Sequence, residues 1–514
     1  MTNTSDKPFN PGQGDLSKLE ELRSQLDMTL DAARPEAVGK RHAKGYRSAR
    51  ENLADLVDEG SFIEYGQLAV AAQRARRSLE DLRSNTPADG VITGLATINA
   101  AQFGEDKAAA AVIVNDYSVL AGTQGFFHHR KLDRIVQVAL ERQLPVVMYT
   151  EGGGGRPGDT DIQIGGGTLD VSSFVEWARL CNSLPTIAVN NGYCFAGNAA
   201  LFGCADIRIA TRDSWIGMAG PAMIEGGGLG QFSPQEIGPM EVQGRNAVVD
   251  LVADDEAAAT ALAKQLLAYT QGDVADWACA DQDALRTVMP ADRRYAYDVR
   301  GIIATVADAG SFIELTRAYG GAVITAFIRI EGRAMGLLAN DCRVLGGAVD
   351  CDAAKKAGRF IALCDKLGLP LLSLCDTPGF MVGPNSEAQG AALHMASLFR
   401  AGAALQIPIV TVILRKAYGL GAMAMAGGSL KVPVLTAAWP TGETGPMGLE
   451  GAVTLGFRKE LEAVADATER EALFNQLVDD MYQRGKATES AAATEIDAVI
   501  DPAETRKVVL RALA

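Results

Sequence analysis

The sequence contains the same pattern twice, and this internal repeat constrains the fold more than any other feature. The pentapeptide GSFIE occurs at 60–64 and again at 310–314, an offset of 250 residues. Further along, Asn115-Asp116 matches Asn340-Asp341 at an offset of 225. Such a long repeat predicts two equivalent halves that arose by tandem duplication. The change of offset predicts an insertion of about 25 residues in the first half, near 66–92.

Within each half, hydrophobic periodicity predicts alternating strands and helices. The predicted helix at 128–143 carries apolar residues at i, i+3, i+4 and i+7, and four apolar residues match them in the second half. Alternating apolar strands and amphipathic helices predict an α/β fold with helix-covered sheets. The matched positions are Leu132, Ile135, Val136 and Ala139 in the first half, and Ala357, Phe360, Ile361 and Cys364 in the second.

The length of 514 residues allows two or three domains. Residues 1–15 are polar and rich in turn formers, which predicts a disordered tail. Residues 16–58 have helical spacing and predict one or two helices. The polar stretch 271–295 is the predicted junction. The predicted domains are therefore an N-terminal domain at 16–280 and a C-terminal domain at 281–514.

Composition excludes several classes of function. A net charge of −15 argues against non-specific binding to nucleic acid. No apolar run approaches the roughly 20 residues of a membrane span, and the polar N-terminus does not resemble a signal peptide. The eight cysteines form no CxxC pair, which favours free thiols in a reducing cytoplasm over disulfides or a bound metal.

Side-chain catalysts are scarce. The four histidines form no HxxxH or HExxH pair, and no GxSxG, Walker A or GxGxxG motif occurs in the right context. His128-His129 open a predicted helix, which favours a surface or capping role. The run Gly152–Gly155 with Arg156 follows a strand and can cradle an anion, although a plain flexible loop fits it equally well. The duplicate, Thr377–Phe380, keeps the tight turn but lacks most of the glycines.

Two matched turns remain as candidates for backbone chemistry. LPTIAVNNGYCFAGNAA at 184–200 and IPIVTVILRKAYGLGAMA at 407–424 each run from a proline-initiated apolar strand into a glycine turn. Small residues at a strand-to-helix turn let main-chain N–H groups face an anion or a developing oxyanion. We predict that Ala196-Gly197 and Leu420-Gly421 are equivalent donor pairs. The alternative is that these glycines only permit close helix packing.

Five motifs resemble a known family. They are EGGGGR at 151–156, NGYCFAGNAALFGCAD at 191–206, TPGFMVG at 377–383, RKAYGLGAMAM at 415–425 and WPTGETGPMGLEGAV at 439–453. Over about residues 40–510, the chain is similar to the carboxyltransferase (β) subunits of biotin-dependent acyl-CoA carboxylases, as in propionyl-CoA and methylcrotonoyl-CoA carboxylase. The last two motifs most resemble the carboxyltransferase region of large single-chain acyl-CoA carboxylases.

The resemblance implies two tandem crotonase-like domains built on ββα spirals. It implies an active site between the N domain of one subunit and the C domain of another, usually in a hexamer. Ala196 and Gly197 would form one oxyanion hole, and Leu420 and Gly421 the other. In the family, one hole holds the thioester enolate and the other the biotin carbonyl. Carboxybiotin releases CO2, biotin N1′ takes the α-proton, and the enolate attacks CO2.

The resemblance also implies substrate-binding residues and partners. Many members have Gly-Gly and Gly-Ala where this chain has Ala196-Gly197 and Leu420-Gly421. Members acting on short acyl-CoAs often carry Asp where this chain has Met423, so a larger acyl pocket is expected. The chain has no ATP-grasp region and no Ala-Met-Lys-Met site, so a biotin carboxylase and a biotin carboxyl carrier protein are expected partners. The implied acyl-CoA-binding residues are Gly153, Gly154, Gly155, Arg156, Gly379, Phe380, Tyr418 and Met423.

Two other functions stay open at this point. The same fold serves the carboxyltransferase of biotin-dependent decarboxylases, which run the reaction in the opposite direction. A non-catalytic scaffold subunit could also keep the fold after losing activity, and the changed turn residues motivate that alternative.

Overall fold

The computed structural model describes residues 16–161 and 169–514, so the predicted tail 1–15 lies outside the described residues. The strands are β1 (Ile63–Tyr65), β2 (Val91–Thr97), β3 (Ala109–Asn115), β4 (Val146–Tyr149), β5 (Thr186–Asn190), β6 (Tyr193–Phe195), β7 (Ile207–Thr211), β8 (Trp215–Gly217), β9 (Leu251–Ala253), β10 (Ile313–Leu315), β11 (Val323–Ile330), β12 (Arg333–Asn340), β13 (Leu371–Thr377), β14 (Ile409–Tyr418), β15 (Leu435–Ala438), β16 (Glu443–Gly445) and β17 (Ala498–Val499).

The helices alternate with these strands. They are α1 (Ser17–Asp27), α2 (Pro35–His42), α3 (Ala49–Leu56), α4 (Leu79–Asn85), α5 (Ala100–Phe103), α6 (Glu105–Ala108), α7 (Phe126–Arg142), α8 (Ser173–Ser183), α9 (Gly197–Cys204), α10 (Pro221–Gly226), α11 (Met240–Gln243), α12 (Glu256–Gln271), α13 (Val299–Val306), α14 (Cys351–Leu367), α15 (Pro384–Glu387), α16 (Ala391–Ala404), α17 (Gly419–Met425), α18 (Leu449–Gly456), α19 (Arg458–Ala463), α20 (Ala467–Gly485), α21 (Ala487–Ala492) and α22 (Thr505–Ala512). The prediction of one or two helices at 16–58 is wrong, because three form there.

The chain has a mixed α/β fold with two main sheets, one in each half. The first sheet has the order β1-β2-β3-β4-β5-β7-β9, and the second has the order β10-β11-β12-β13-β14-β15-β17. In both sheets the first two pairings are antiparallel and the remaining ones are parallel. The predicted α/β class is therefore confirmed.

The apolar stripe of α7 packs against the first sheet as the periodicity predicts. Leu132, Ile135, Val136 and Ala139 are each at most 1% exposed, and their four counterparts on α14 are also buried. Burying a large aliphatic side chain contributes roughly 1.5–3 kcal/mol. An ion pair is repeated in the two halves. A guanidinium nitrogen of Arg50 lies 3.0 Å from a carboxylate oxygen of Glu64, and the equivalent distance from Arg300 to Glu314 is 2.6 Å.

The insertion predicted near 66–92 is divided between two sites. Ile63 pairs with Leu95, 32 residues further on, whereas Ile313 pairs with Phe327, only 14 residues further on. This connection is therefore 18 residues longer in the first half (32 − 14), and it contains α4. The other 7 residues of the offset change (25 − 18) lie between β2 and β3, where α5 and α6 replace a tight hairpin.

The two halves share one continuous hydrophobic core. Helix α12 leaves the first sheet and packs on both sheets, and its Tyr269 ring lies 5.4 Å from the Phe327 ring. Lys366 Nζ lies 2.5 Å from a carboxylate oxygen of Asp206, which joins the halves by an ion pair. Among the described residues, no helix has the length and apolar character needed to cross a bilayer.

Candidate active site

The first predicted turn, Ala196-Gly197 at the start of α9, packs against the glycine loop that follows β4. Gly154 has φ of 89° and is buried, and its N–H donates to Asn198 Oδ1 at 3.0 Å. A Cβ on Gly154 would lie 2.7 Å from the Ala196 Cβ and 3.7 Å from the Gly197 nitrogen. Glycine is therefore required here for both its backbone angle and its close approach to α9.

The second predicted turn, Leu420-Gly421 in α17, packs in the same way against the loop that follows β13. Gly379 has φ of 123°, and a Cβ on it would lie 3.5 Å from the Tyr418 carbonyl oxygen. A Cβ on Gly421 would lie 2.5 Å from the Gly379 carbonyl carbon and 2.8 Å from the Phe380 nitrogen. Gly421 therefore allows α17 to pack directly on the turn, as the packing alternative predicts.

The geometry corrects the predicted pairing of the two turns by one residue. Ala196 immediately precedes α9 with φ of 52°, whereas Gly419 has φ of 55° at the start of α17. Gly154 lies against the Phe195 carbonyl oxygen just as Gly379 lies against that of Tyr418. The sequence offset of 223 between the preceding strands therefore continues through the turns. Gly197 corresponds to Leu420, and Asn198 corresponds to Gly421.

Contrary to the prediction, the Ala196 N–H is not available to a ligand. It donates to the Gly217 carbonyl oxygen at 3.0 Å, because β6 and β8 pair beside the turn. Gly197 is the first residue of α9, where main-chain N–H groups lack partners within the helix. The N–H of Gly197 is thus the available donor of the predicted pair, and the N–H of Leu420 is its counterpart.

Arg156 does not offer a free cation to a substrate, contrary to the prediction. Its side chain is 4% exposed and forms an ion pair with the fully buried Asp89. The guanidinium also donates to the Thr123 carbonyl oxygen at 2.7 Å and lies 3.6 Å from Asp159. Arg156 therefore fixes the glycine loop to its neighbours, and its charge is neutralised by two carboxylates.

The other predicted binding residues are distributed between the core and the surface. Gly153 and Gly155 are exposed, and a Cβ on Gly155 would meet nothing within 4 Å. The side chain of Phe380 packs against the core, and Tyr418 is 2% exposed. Met423 is half-buried one turn after Leu420, whose side chain is 59% exposed. Leu420 and Met423 therefore share one face of α17.

A large cavity of about 1140 Å³ reaches Glu151 and Tyr193, which flank the glycine loop and the first turn. Glu151, which precedes the glycine loop, lines it and accepts hydrogen bonds from Arg41 at 2.9 and 2.8 Å. Burial raises the pKa of the Glu151 carboxyl to about 7, although the Arg41 charge opposes that shift. The cavity combines cations and aromatic rings: Arg34, Lys40, Arg41, Lys44, Tyr46, Tyr117, Tyr193 and Trp215.

Sequence reasoning missed two carboxamides and misplaced one histidine. Gln124 and Asn198 are buried against the first turn. The repeat aligns them with Val349 and Gly421, so a polar side chain in one half matched by none in the other could have pointed to them. His128 is buried, so a surface role is wrong. Its Nε2 lies 2.8 Å from Asn115 Oδ1, and burial lowers its pKa well below the usual value.

Metal ligation finds no support in the described part of the chain, where no cluster of three or more His, Cys, Asp or Glu side chains could hold an ion. All eight cysteines are free, and six of them are buried.

Comparison with known proteins identifies relatives over nearly the whole chain. The model of the carboxyl transferase domain matches residues 40–514. The chain is 32% identical over 510 residues to the methylmalonyl-CoA carboxyltransferase 12S subunit of Propionibacterium freudenreichii subsp. shermanii, covering 96% of this chain and 93% of that protein. It is 30% identical over 518 residues to the propionyl-CoA carboxylase beta chain of Saccharopolyspora erythraea, covering 96% and 92%.

Solved structures give the same relationship. A single-chain, multi-domain long-chain acyl-CoA carboxylase has a TM-score of 0.92 and 53% identity, covering 98% of this chain but 49% of that one. This chain thus spans about half the length of that protein. The transcarboxylase 12S structure, described as a hexamer with methylmalonyl-CoA bound, has a TM-score of 0.84 and 28% identity, covering 99% and 96%.

Proposed function

Because the chain belongs to the carboxyl transferase domain family, we propose that its acyl-CoA carboxyl transfer uses carboxybiotin on a partner protein as the donor. The acceptor is the α-carbon of an acyl-CoA. The observation that carries this proposal is the matched pair of strand-to-helix turns, each with a positive-φ glycine against a helix start. Two such turns can stabilise two carbonyl oxygens that gain negative charge.

The chain's own residues supply main-chain donors rather than a base. The Gly197 N–H serves the first turn and the Leu420 N–H serves the second, while Gly154 and Gly379 bring the loops into contact with the helices. Carboxybiotin, when bound, would supply CO2 and a nitrogen that accepts the α-proton. No ionisable side chain of this chain then has to remove that proton.

The cavity beside the first turn is suited to the nucleotide part of coenzyme A. Phosphates favour the cationic side chains there, and an adenine ring favours the aromatic ones. Arg34 and Arg41 pair with Asp116 and Glu151, and Lys40 pairs with the exposed Glu36. Lys44 is therefore the more available cation. The acyl chain would then extend toward Gly197.

Finer aspects of the organisation are part of the same proposal. The repeated sheet order and repeated turns support two tandem crotonase-like domains at 16–280 and 281–514. Separate biotin carboxylase and biotin carboxyl carrier proteins would supply the donor in the cytoplasm. A hexamer is proposed from the 12S relative. It would place the N domain of one subunit against the C domain of another.

A transfer assay tests this function directly. The purified oligomer is mixed with isotopically labelled carboxybiotin and separately with acetyl-CoA, propionyl-CoA and a long-chain acyl-CoA. Label should appear in a carboxylated acyl-CoA, and the larger pocket expected from Met423 predicts turnover of acyl groups longer than acetyl. Strict acetyl-CoA preference would contradict the pocket. No transfer to any acyl-CoA by a folded oligomer would instead favour a scaffold, and net formation of carboxybiotin from carboxylated acyl-CoA would favour a decarboxylase.

A further inference from the structure

Gln124 and Val349 occupy equivalent positions beside the two turns. The Gln124 N–H donates to the Gly154 carbonyl oxygen at 2.7 Å, and the Val349 N–H donates to that of Gly379 at 3.0 Å. The carbonyl oxygen of each residue also accepts a hydrogen bond from the main-chain N–H two residues after that glycine. The donors are Arg156, at 2.8 Å from Gln124, and Met381, at 2.9 Å from Val349. The backbones therefore match, and the two turns differ here only in the side chain.

The carboxamide of Gln124 explains the glycine at position 197. A Cβ on Gly197 would lie 2.2 Å from Gln124 Oε1. Gly197 does not have a left-handed φ, so its backbone conformation does not require glycine. The equivalent helix position in the second turn carries Leu420, which is tolerated where Val349 replaces the carboxamide. The first turn has thus made room for a polar group directly beside its available N–H.

That polar group lacks a partner. Gln124 is 3% exposed, and its Nε2 is buried without a hydrogen-bond acceptor. Among the described residues, Asn198 is the only other one whose side-chain NH2 group is buried and unpartnered. The Asn198 amide is oriented by its bond to the Gly154 N–H, whereas no such bond orients Gln124. A buried donor without an acceptor is costly, so its presence suggests that a ligand supplies the acceptor.

The amide can present this donor to the ligand by a simple rotation. The terminal torsion of glutamine is broad and roughly two-fold, and its oxygen and nitrogen have nearly the same size. Turning the amide by half a rotation places the NH2 group where Oε1 now contacts Gly197. The rotation gives up no hydrogen bond of Nε2, because that atom has none.

We propose that Gln124 donates a side-chain hydrogen bond, beside the Gly197 N–H, to a ligand carbonyl oxygen that gains negative charge at the first turn. This inference rests on the proposed function. The carbonyl belongs either to an acyl thioester or to the ureido ring of biotin, which share this chemistry. The equivalent position of the second turn carries Val349, whose side chain has no donor, so the two turns would stabilise negative charge unequally.

The Gln124→Met variant removes the donor and keeps the length of the side chain. Its kcat should fall on the order of 10²-fold, as for loss of one oxyanion donor, with a much smaller change in KM. Gln73→Met is the matched control. Gln73 is another buried glutamine, and its Nε2 donates to Asp159 Oδ1 at 3.1 Å. Asp159 lies in the loop after β4 that also contains Gly154. A loss of activity caused only by a looser loop would appear in both variants.

Infrared difference spectra separate a direct contact from a structural role. Acyl-CoA labelled with ¹³C at the thioester carbonyl, and biotin labelled at the ureido carbonyl, are bound separately to wild type and to Gln124→Met. A higher carbonyl stretching frequency in the variant identifies which carbonyl accepts the hydrogen bond. Unchanged frequencies for both ligands would overturn the inference. If the wild-type protein transfers no carboxyl group, the proposed function fails, while the spectra still decide whether Gln124 contacts a carbonyl.

Discussion

Replacing Gly154 with alanine isolates the contribution of the first turn. A residue with a Cβ at φ of 89° is strained by about 1–2 kcal/mol. The new methyl group would also lie 2.7 Å from the Ala196 Cβ, and such overpacking typically costs about 1–3 kcal/mol. Together these terms reach about 2–5 kcal/mol. The loop can relieve the overpacking part by moving away from α9.

That movement displaces the carbonyl-binding site near Gly197. A misplacement of about 1 Å can reduce a reaction rate on the order of 10²-fold, so we expect at least that loss in kcat/KM for Gly154→Ala. The assay is the initial rate of carboxyl transfer, measured with the midpoint of urea unfolding. Gly203→Ala is the control, because Gly203 lies in α9 with nothing within 4 Å of its Cβ position.

The control should keep wild-type activity and gain a little stability, since alanine favours a helix over glycine by roughly 0.5–1 kcal/mol. If Gly154→Ala transferred carboxyl groups as fast as Gly203→Ala, the close approach of this loop to α9 would have no role in catalysis. Equal loss in both variants would mean that activity responds to any methyl group added around α9 rather than to the geometry of the turn.

Three further changes test other parts of the structure. Gly421→Ala places a methyl group 2.5 Å from the Gly379 carbonyl carbon, so both transfer activity and the melting temperature should fall; an unchanged melting temperature would contradict the packing. Arg156→Met leaves the Asp89 carboxylate buried without its partner, so urea unfolding should show a loss of about 3–5 kcal/mol; a raised KM at wild-type stability would instead indicate substrate binding. Burial lowers the pKa of Lys131 to about 8, below the roughly 10.4 of an unfolded lysine, so the unfolded state binds more protons between these values and this lysine's contribution to stability rises with pH. The free energy of unfolding of wild type should therefore rise relative to that of Lys131→Met from pH 8 to 10. Parallel pH profiles of the two proteins would contradict this.

Much of the architecture follows from local sequence patterns. The apolar strands and the stripe of α7 depend on residues close together in the chain, and these elements formed where they were predicted. The repeat shows the same local patterns in both halves. The positions of the two glycine turns were predictable for the same reason, because each follows a buried strand and precedes small residues. The insertion was only partly predictable, since an offset records the total length added and not its division between two connections.

The amino-acid sequence by itself determined the family, the α/β class and the place of the two turns. Only the tertiary structure decided which groups at the turns are available. The Ala196 N–H is taken by Gly217, a residue on a neighbouring strand, and the Arg156 charge is neutralised by Asp89, 67 residues earlier in the chain. The free donor of Gln124 likewise depends on what surrounds its amide in space. Hydrogen bonds and ion pairs between distant segments leave no periodic trace, so they appear only when the chain has folded.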